Sequence, residues 1–449
     1  MTRHAIYLPF LLLILLPQLH SPAQTRALLE PADGRVYHGV QTMTFDAGDP
    51  IEAYLTALGD STIQPAVRGL FFSIPGTRGA AASLRQLAGF YAQADAIGFI
   101  PELSLFLVSD VATDTVIATS TQYDAIIDSI ITLSKAYGRR MFLRIGGEFN
   151  GAGDGWNGGG YTPHHYVTMF RKITDMFAAR GFRDSVATIW CYYPAAANDF
   201  DSVDARGTLW YPGDAYVDWF GLDLFNADDF DLAAPDSSRS GISRKGKSER
   251  FLAMARAHGK PVYMSETSAK GINISADAAD GVADWNAWFA KFWEFIAAHP
   301  EIKGYSYINA NWPDRAYPGW GDARIQNSAY VTGQYRTEMR KPRYIHLPTS
   351  SPTAVAAPAA VARDIIVDVA PHPVRGRALV RLQMPHAQSV RVSLHDLLGR
   401  DMRLLHAGVM ESGVRWLPLD GADLPTGVYI LRVAHDHGGT QHPILVTHE

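Results

Sequence analysis

The chain has 449 residues, 47% of them hydrophobic, which is more than one ordinary domain needs and enough for a large core plus a small module. Its net charge of −5, with no basic run, argues against nucleic acid as a partner, because phosphate binding needs clustered Lys and Arg. The single cysteine, Cys191, excludes an intramolecular disulfide and reads as a small core residue.

At the N-terminus, Arg3 and His4 precede an apolar run, AIYLPFLLLILL, and SPA at Ser21–Ala23 supplies small residues for cleavage. Residues 1–23 therefore read as an export signal rather than a membrane span. Eight short apolar runs follow: Arg35–Gln41, Val67–Ser73, Gly98–Leu103, Arg140–Ile145, Ala187–Tyr192, Val217–Asp223, Pro261–Ser265 and Gly304–Ile308. Amphipathic stretches such as QYDAIIDSIITLSKAYG and DWNAWFAKFWEFIAAHP lie between them. Strands alternating with helices predict a (β/α)8 TIM barrel over residues 24–346. The helix-to-strand links are short. The links after Ile145, Asp223, Ser265 and Ile308 are long, at the end of the barrel where such folds carry their sites.

Residues 347–361, LPTSSPTAVAAPAAV, read as a linker. Beyond it, RALVRLQM, SVRVSLHDL, GVRWLPLD, GVYILRVAH and HPILVTH alternate apolar and polar residues, which predicts a small all-β sandwich over 362–449.

Two acids stand at strand ends. Glu148 follows the fourth run in RIGGEFNGAGDGWNGGG, and Glu266 ends the seventh in KPVYMSETSAKG. Across a barrel mouth, two such carboxyls can approach to about 5–5.5 Å, the separation of a retaining glycosidase. Each acid alone is equally well explained as a helix cap or a partner of Arg144. The two together, at equivalent strand ends, point to catalysis. Gly146 and Gly147 allow the sharp turn that Glu148 needs. Asn150 either bonds a sugar hydroxyl or fixes the loop. Trp156 offers a stacking face, although the glycines around it also suit tight turns. Asp223 either binds a hydroxyl or holds Arg144. Tyr192 points to the mouth or to the core, and Trp312 and Trp320 either support a sugar or pack on each other. No CxxC or HExxH motif occurs, so neither a metal site nor a cofactor is expected.

RIGGEFNG, ATIWCYYP, LWYPGDAYVDWFGLDLFN, KPVYMSET and RIQNSAYVTGQYRTEMRKPRYIH resemble family 26 glycoside hydrolases, (β/α)8 retaining enzymes of clan A best known as endo-β-1,4-mannanases. The resemblance covers roughly residues 35–346. It implies Glu148 as acid/base and Glu266 as nucleophile, with Asn150, Trp156, Tyr192, Asp223, Trp312 and Trp320 as substrate-binding candidates. Three features depart from the family pattern. Gly147 stands where a histidine usually precedes the acid/base, Trp156 is alone where mannanases are Trp-rich, and Phe225 lacks the hydroxyl that commonly supports the nucleophile. The C-terminal APHP (Ala370–Pro373), HDLLGR and Gly427–Tyr429 resemble the type A sorting domain of the type IX secretion system, which implies passage through the outer membrane.

The expectation is a secreted or surface-held monomeric glycoside hydrolase acting on a β-linked polysaccharide. β-1,4-Mannan comes first, then β-1,3-xylan, mixed-linkage β-glucan and exopolysaccharides. Outer-membrane secretion machinery is the expected partner. The alternative is a glycan-binding surface protein on a barrel that has lost turnover. The departures at Gly147 and Phe225 favour that alternative; both acids favour the enzyme.

Overall fold

A computed structural model describes residues 26–41, 50–75, 79–107, 113–151, 161–348 and 365–448, apart from 197, 240, 316, 371, 372, 385, 398, 412, 436 and 437. The export segment, Trp156 with most of its glycine loop, and nearly all of the linker lie outside the described residues, as do Pro371 and His372 of the APHP motif.

Eight parallel strands form the barrel: β1 Val36–Gln41, β2 Val67–Ile74, β3 Ile100–Leu107, β4 Met141–Glu148, β5 Val186–Tyr192, β6 Trp219–Leu222, β7 Val262–Thr267 and β8 Ile302–Tyr307. Neighbours pair in chain order, and β8 returns to β1 with Tyr37 opposite Gly304 and Val40 opposite Tyr307. Closure leaves no unpaired edge in the ring.

Helices α1 Pro50–Leu58, α2 Ala80–Ile97, α3 Asp114–Thr119, α4 Asp124–Tyr137, α5 Pro163–Ala179, α6 Arg244–Ala257, α7 Ala278–Asp284, α8 Ala290–Ala298 and α9 Ala329–Met339 surround it. α4 shows why they form. Ile126, Ile127, Ile130, Ile131 and Leu133 make one buried stripe at helical spacing, and Gly138 ends the helix in the left-handed conformation, φ 72°, donating its N–H to Ser134 O.

One link departs from strict alternation. Among the described residues no helix joins β5 to β6; residues 193–218 form a loop held by a bridge between Val203 and Leu209. Pro194, Pro212, Gly207 and Gly213 interrupt this segment, and it has no apolar stripe from which to build a helix.

Two cores result. The outward faces of the strands pack on the helices, while Val67, Phe142, Ala187, Ile189, Cys191, Trp219 and Tyr263 fill the barrel interior. Ala27, Leu28 and Leu29 pack against this inner cluster, and Trp219 Nε1–H donates to Leu28 O at 2.8 Å. The plugged interior forces anything that binds to the opposite end, where the strands terminate.

The C-terminal residues form a separate all-β domain of seven antiparallel strands. These are β9 Ile366–Ala370, β10 Arg377–Met384, β11 Gln388–His395, β12 Asp401–Met410, β13 Gly413–Asp420, β14 Gly427–His435 and β15 Gly438–Val446. They make two sheets, β9-β10-β13 and β12-β11-β14-β15, around a core that includes Val380, Leu382, Val392, Leu394, Leu431 and Val433. Alternate residues face inward, as the sequence pattern requires. Trp416 remains 54% exposed on this domain.

Candidate active site

Glu148 reaches the mouth because β4 carries a bulge. Arg144 lies opposite Ile189 of β5, and the next pair is Glu148 opposite Cys191. Gly146 and Gly147 are the two additional residues, at φ 79° and 60°. They preserve the alternation, so Glu148 falls on the same inward side as Phe142 and Arg144. Space demands glycine as strongly as the backbone does. A Cβ on Gly146 would lie 2.8 Å from the Tyr166 ring, and one on Gly147 would lie 2.5 Å from the Phe106 ring.

Glu266 depends on a second bulge. Tyr305 of β8 opposes Met264, and Tyr307 opposes Thr267, so β7 carries one extra residue here. Without it, Glu266 would alternate outward after the inward Ser265. With it, both face the barrel. Asp223, just after β6, accepts the Glu266 backbone N–H at 2.9 Å.

Arg144 links these elements. Its side chain is fully buried; Nη2 donates to Asp223 at 2.5 Å and Nη1 donates to Glu266, whose side chain is 12% exposed. Burial works against the guanidinium charge, but Asp223, Glu266 and Glu148 outweigh it and hold the group charged. The Asp223 carboxyl is raised above the usual range by burial, with Arg144 opposing and Glu266 reinforcing the shift. Burial also pushes the Cys191 thiol up, so it stays neutral among these charges. Phe106 covers the guanidinium, with Arg144 Cζ 5.3 Å from its ring centre, and packs edge-on against Phe71 at 5.0 Å.

Glu102 was not anticipated. It lies on β3 and is fully buried, with Oε1 accepting from Ser104 Oγ–H at 3.1 Å. Burial raises its carboxyl to about 8 against the pull of Arg144. The signal in the sequence was an acid and a serine two apart in IPELSLFL, on one face of an otherwise apolar strand.

Other sequence candidates are engaged elsewhere. Asn150 is buried and takes the loop-fixing role: its Nδ2 donates to Tyr193 O at 2.7 Å and Asn198 O at 2.8 Å, while Oδ1 accepts from Tyr193 N–H at 3.0 Å. Both carboxamide ends are thus engaged with loop backbone rather than left open to the mouth. Tyr192 is turned away from the mouth. It stacks on Phe251 of α6 at 4.8 Å and donates its hydroxyl to Asp199 at 2.7 Å, because it alternates with the inward Cys191. Trp312 is buried, donates Nε1–H to Ser268 Oγ at 2.8 Å and packs on Trp320 at 4.6 Å. Trp320 is half-buried and touches Phe225, at 4.9 Å between centroids, with Lys270 Nζ 3.9 Å from its ring centre. Among the described residues no cluster of three or more His, Cys, Asp or Glu could hold a metal ion.

The arrangement therefore joins two strand-end carboxylates through one buried cation. Residues 112–300, which contain both acids and Arg144, match the family described as Glycosyl hydrolase family 26. The match covers less than half of the 449-residue chain. A "Beta-1,3-xylanase" of Alcaligenes sp is 28% identical over 249 residues, covering 50% of this chain and 48% of that protein. A "Mannan endo-1,4-beta-mannosidase" of Bifidobacterium adolescentis is 26% identical over 179 residues, 38% of this chain and 17% of that protein. A solved endo-beta-1,4-mannanase from Cellulomonas fimi shares 18% identity, with a TM-score of 0.49 and coverage of 92% of this chain and 94% of that one. The chain spans about half the length (48%) of the first curated relatives it matches. The matched span lies within the barrel, from before β4 to just before β8, and ends before the sandwich.

Proposed function

We propose that the protein is a retaining glycoside hydrolase that cleaves β-linked polysaccharide. The observation that carries this reading is the shared guanidinium: Arg144 donates to Glu266 and feels the charge of Glu148. Glu266, held as a carboxylate, attacks the anomeric carbon as the glycosidic C–O bond breaks. Glu148 gives its proton to the departing oxygen. Glu148 then takes a proton from water, that water attacks the same carbon, and the Glu266 carboxylate is released. The family match over residues 112–300 supports the enzyme, and it does not favour the glycan-binding alternative.

For substrate we put β-1,4-mannan first, with β-1,3-xylan beside it. Curated relatives of the chain bear both names, and the xylanase matches extend over more of the chain. Half-buried Trp320 is the aromatic face we assign to the sugar. We propose that the chain is exported through residues 1–23 and that the C-terminal domain addresses it to the outer-membrane machinery. The support for both is the sequence resemblance and the separate all-β domain.

Reducing-sugar release from β-mannan, β-1,3-xylan and mixed-linkage glucan tests the substrate. Glu266→Ala should lose nearly all turnover, and azide should restore some of it as the α-glycosyl azide. Glu148→Ala should slow most on poor leaving groups, with azide giving the β-glycosyl azide. Wild-type product appearing first as the inverted anomer by NMR would sink the retaining assignment.

A further inference from the structure

The Arg144 guanidinium already serves two carboxylates, Asp223 and Glu266, with Glu148 nearby. A third carboxyl, Glu102, lies deeper in the same interior. Strand register puts Ser104 beside Arg144 and Glu102 beside Phe142, so Glu102 is one inward position further from the mouth. On its other flank it pairs with Gly69, over which the Gln41 side chain folds. Arg144, Asp223 and Tyr263 are the charged or titratable groups facing it, with the hydroxyls of Ser104 and Ser265. Arg144 Nε is buried without a hydrogen-bond partner among the described residues, and the Ser265 hydroxyl beside Glu102 acts with that of Ser104 to favour its ionised form.

We propose that Glu102 is a positioning residue for the reaction, acting as a neutral carboxylic acid that leaves Arg144 committed to Glu266. The physical reason is charge balance. If Glu102 ionised, one buried cation would face three carboxylates, two of them fully buried, and mutual repulsion would be weakly screened there. The third carboxylate would draw the guanidinium toward its open Nε side, away from the mouth. Glu266 would lose its donor. Burial of Glu102, which lifts its carboxyl to about 8, keeps this from happening near neutral pH. Ser265, immediately before Glu266 on β7, is a second neighbour through which the change would reach the nucleophile.

This inference rests on the retaining reading, and the experiment separates the two. kcat/KM is measured from pH 5 to 10 on 2,4-dinitrophenyl β-mannobioside and β-xylobioside. These leaving groups depart without protonation, so the alkaline side of the profile does not report Glu148. Wild type should lose about tenfold between pH 6 and 9, following ionisation of one group near 8. In Glu102→Gln, with each profile normalised to its own maximum, that loss should be absent. Ser104→Ala removes a hydrogen bond that favours ionised Glu102 and should move the limb to higher pH. It serves as the test if Glu102→Gln does not fold. A merely structural Glu102 would alter stability without moving the normalised limb. A flat wild-type profile to pH 10, or a limb unmoved in the variants, overturns the role of Glu102. No turnover by wild type on either glycoside, together with no Glu266 adduct from the matching 2-fluoro glycosides by intact mass, would instead sink the retaining reading.

Discussion

Replacing Gly147 by alanine tests how the mouth is built. Two costs add. The residue sits at φ 60°, where an L side chain costs about 1 kcal/mol. The new methyl would also lie 2.5 Å from Phe106 Cε1 and 3.0 Å from Cδ1 and Cζ. Overpacking of this kind costs about 1–3 kcal/mol. The ring cannot simply swing aside, because Phe71 packs on it and the Arg144 guanidinium lies over it. The expected total is about 2–4 kcal/mol, read as a lower denaturant midpoint at unchanged slope. Turnover should fall as well, since a displaced ring disturbs the cation that holds Glu266. A double-mutant cycle with Phe106→Ala separates the terms. The overlap, about 1–3 kcal/mol, should vanish in the Phe106→Ala background and leave the backbone cost of about 1 kcal/mol. A wild-type midpoint for Gly147→Ala, or a cost unchanged when the ring is gone, would refute the argument. The same geometry explains the missing histidine before Glu148. Phe106 fills the space that a side chain at 147 would need.

Asn150→Ala should destabilise by about 2–3 kcal/mol, because it strips partners from three backbone groups at once. A direct sugar contact would instead raise KM at unchanged melting temperature, so thermal unfolding alongside kinetics distinguishes the two. Glu102 should also mark the pH dependence of stability. Its carboxyl is raised by burial to about 8 from 4.5, so between those values the folded chain keeps a proton that the unfolded chain has lost. Stability from this group therefore falls as pH rises through that window, by about 1.4 kcal/mol per pH unit. Glu102→Gln should gain on wild type across the window and level off above it. Parallel stability curves from pH 5 to 8 would exclude a raised Glu102.

The barrel was legible in the sequence because its elements are local. Apolar runs of strand length, helical stripes such as Ile126–Ile131 and long links at one end of the strands are patterns within a few dozen residues. Glu148 and Glu266 were legible for the same reason, as polar residues where apolar runs stop. The β5-to-β6 link carries no helix among the described residues, and its prolines and glycines are visible in the sequence. What faces the mouth was decided by the closed sheet. One inserted residue in β7 turns Glu266 inward, and two glycines in β4 keep Glu148 inward, yet a bulge exists only relative to the neighbouring strand. Tyr192 and Cys191 are adjacent in sequence, and register alone sends one to the helices and the other to the guanidinium. The partners of Arg144 lie 79 and 122 residues away, and Glu102 reaches that cluster from another strand. Such pairings depend on tertiary closure, because a buried charge is tolerated only where distant segments bring its counter-charge.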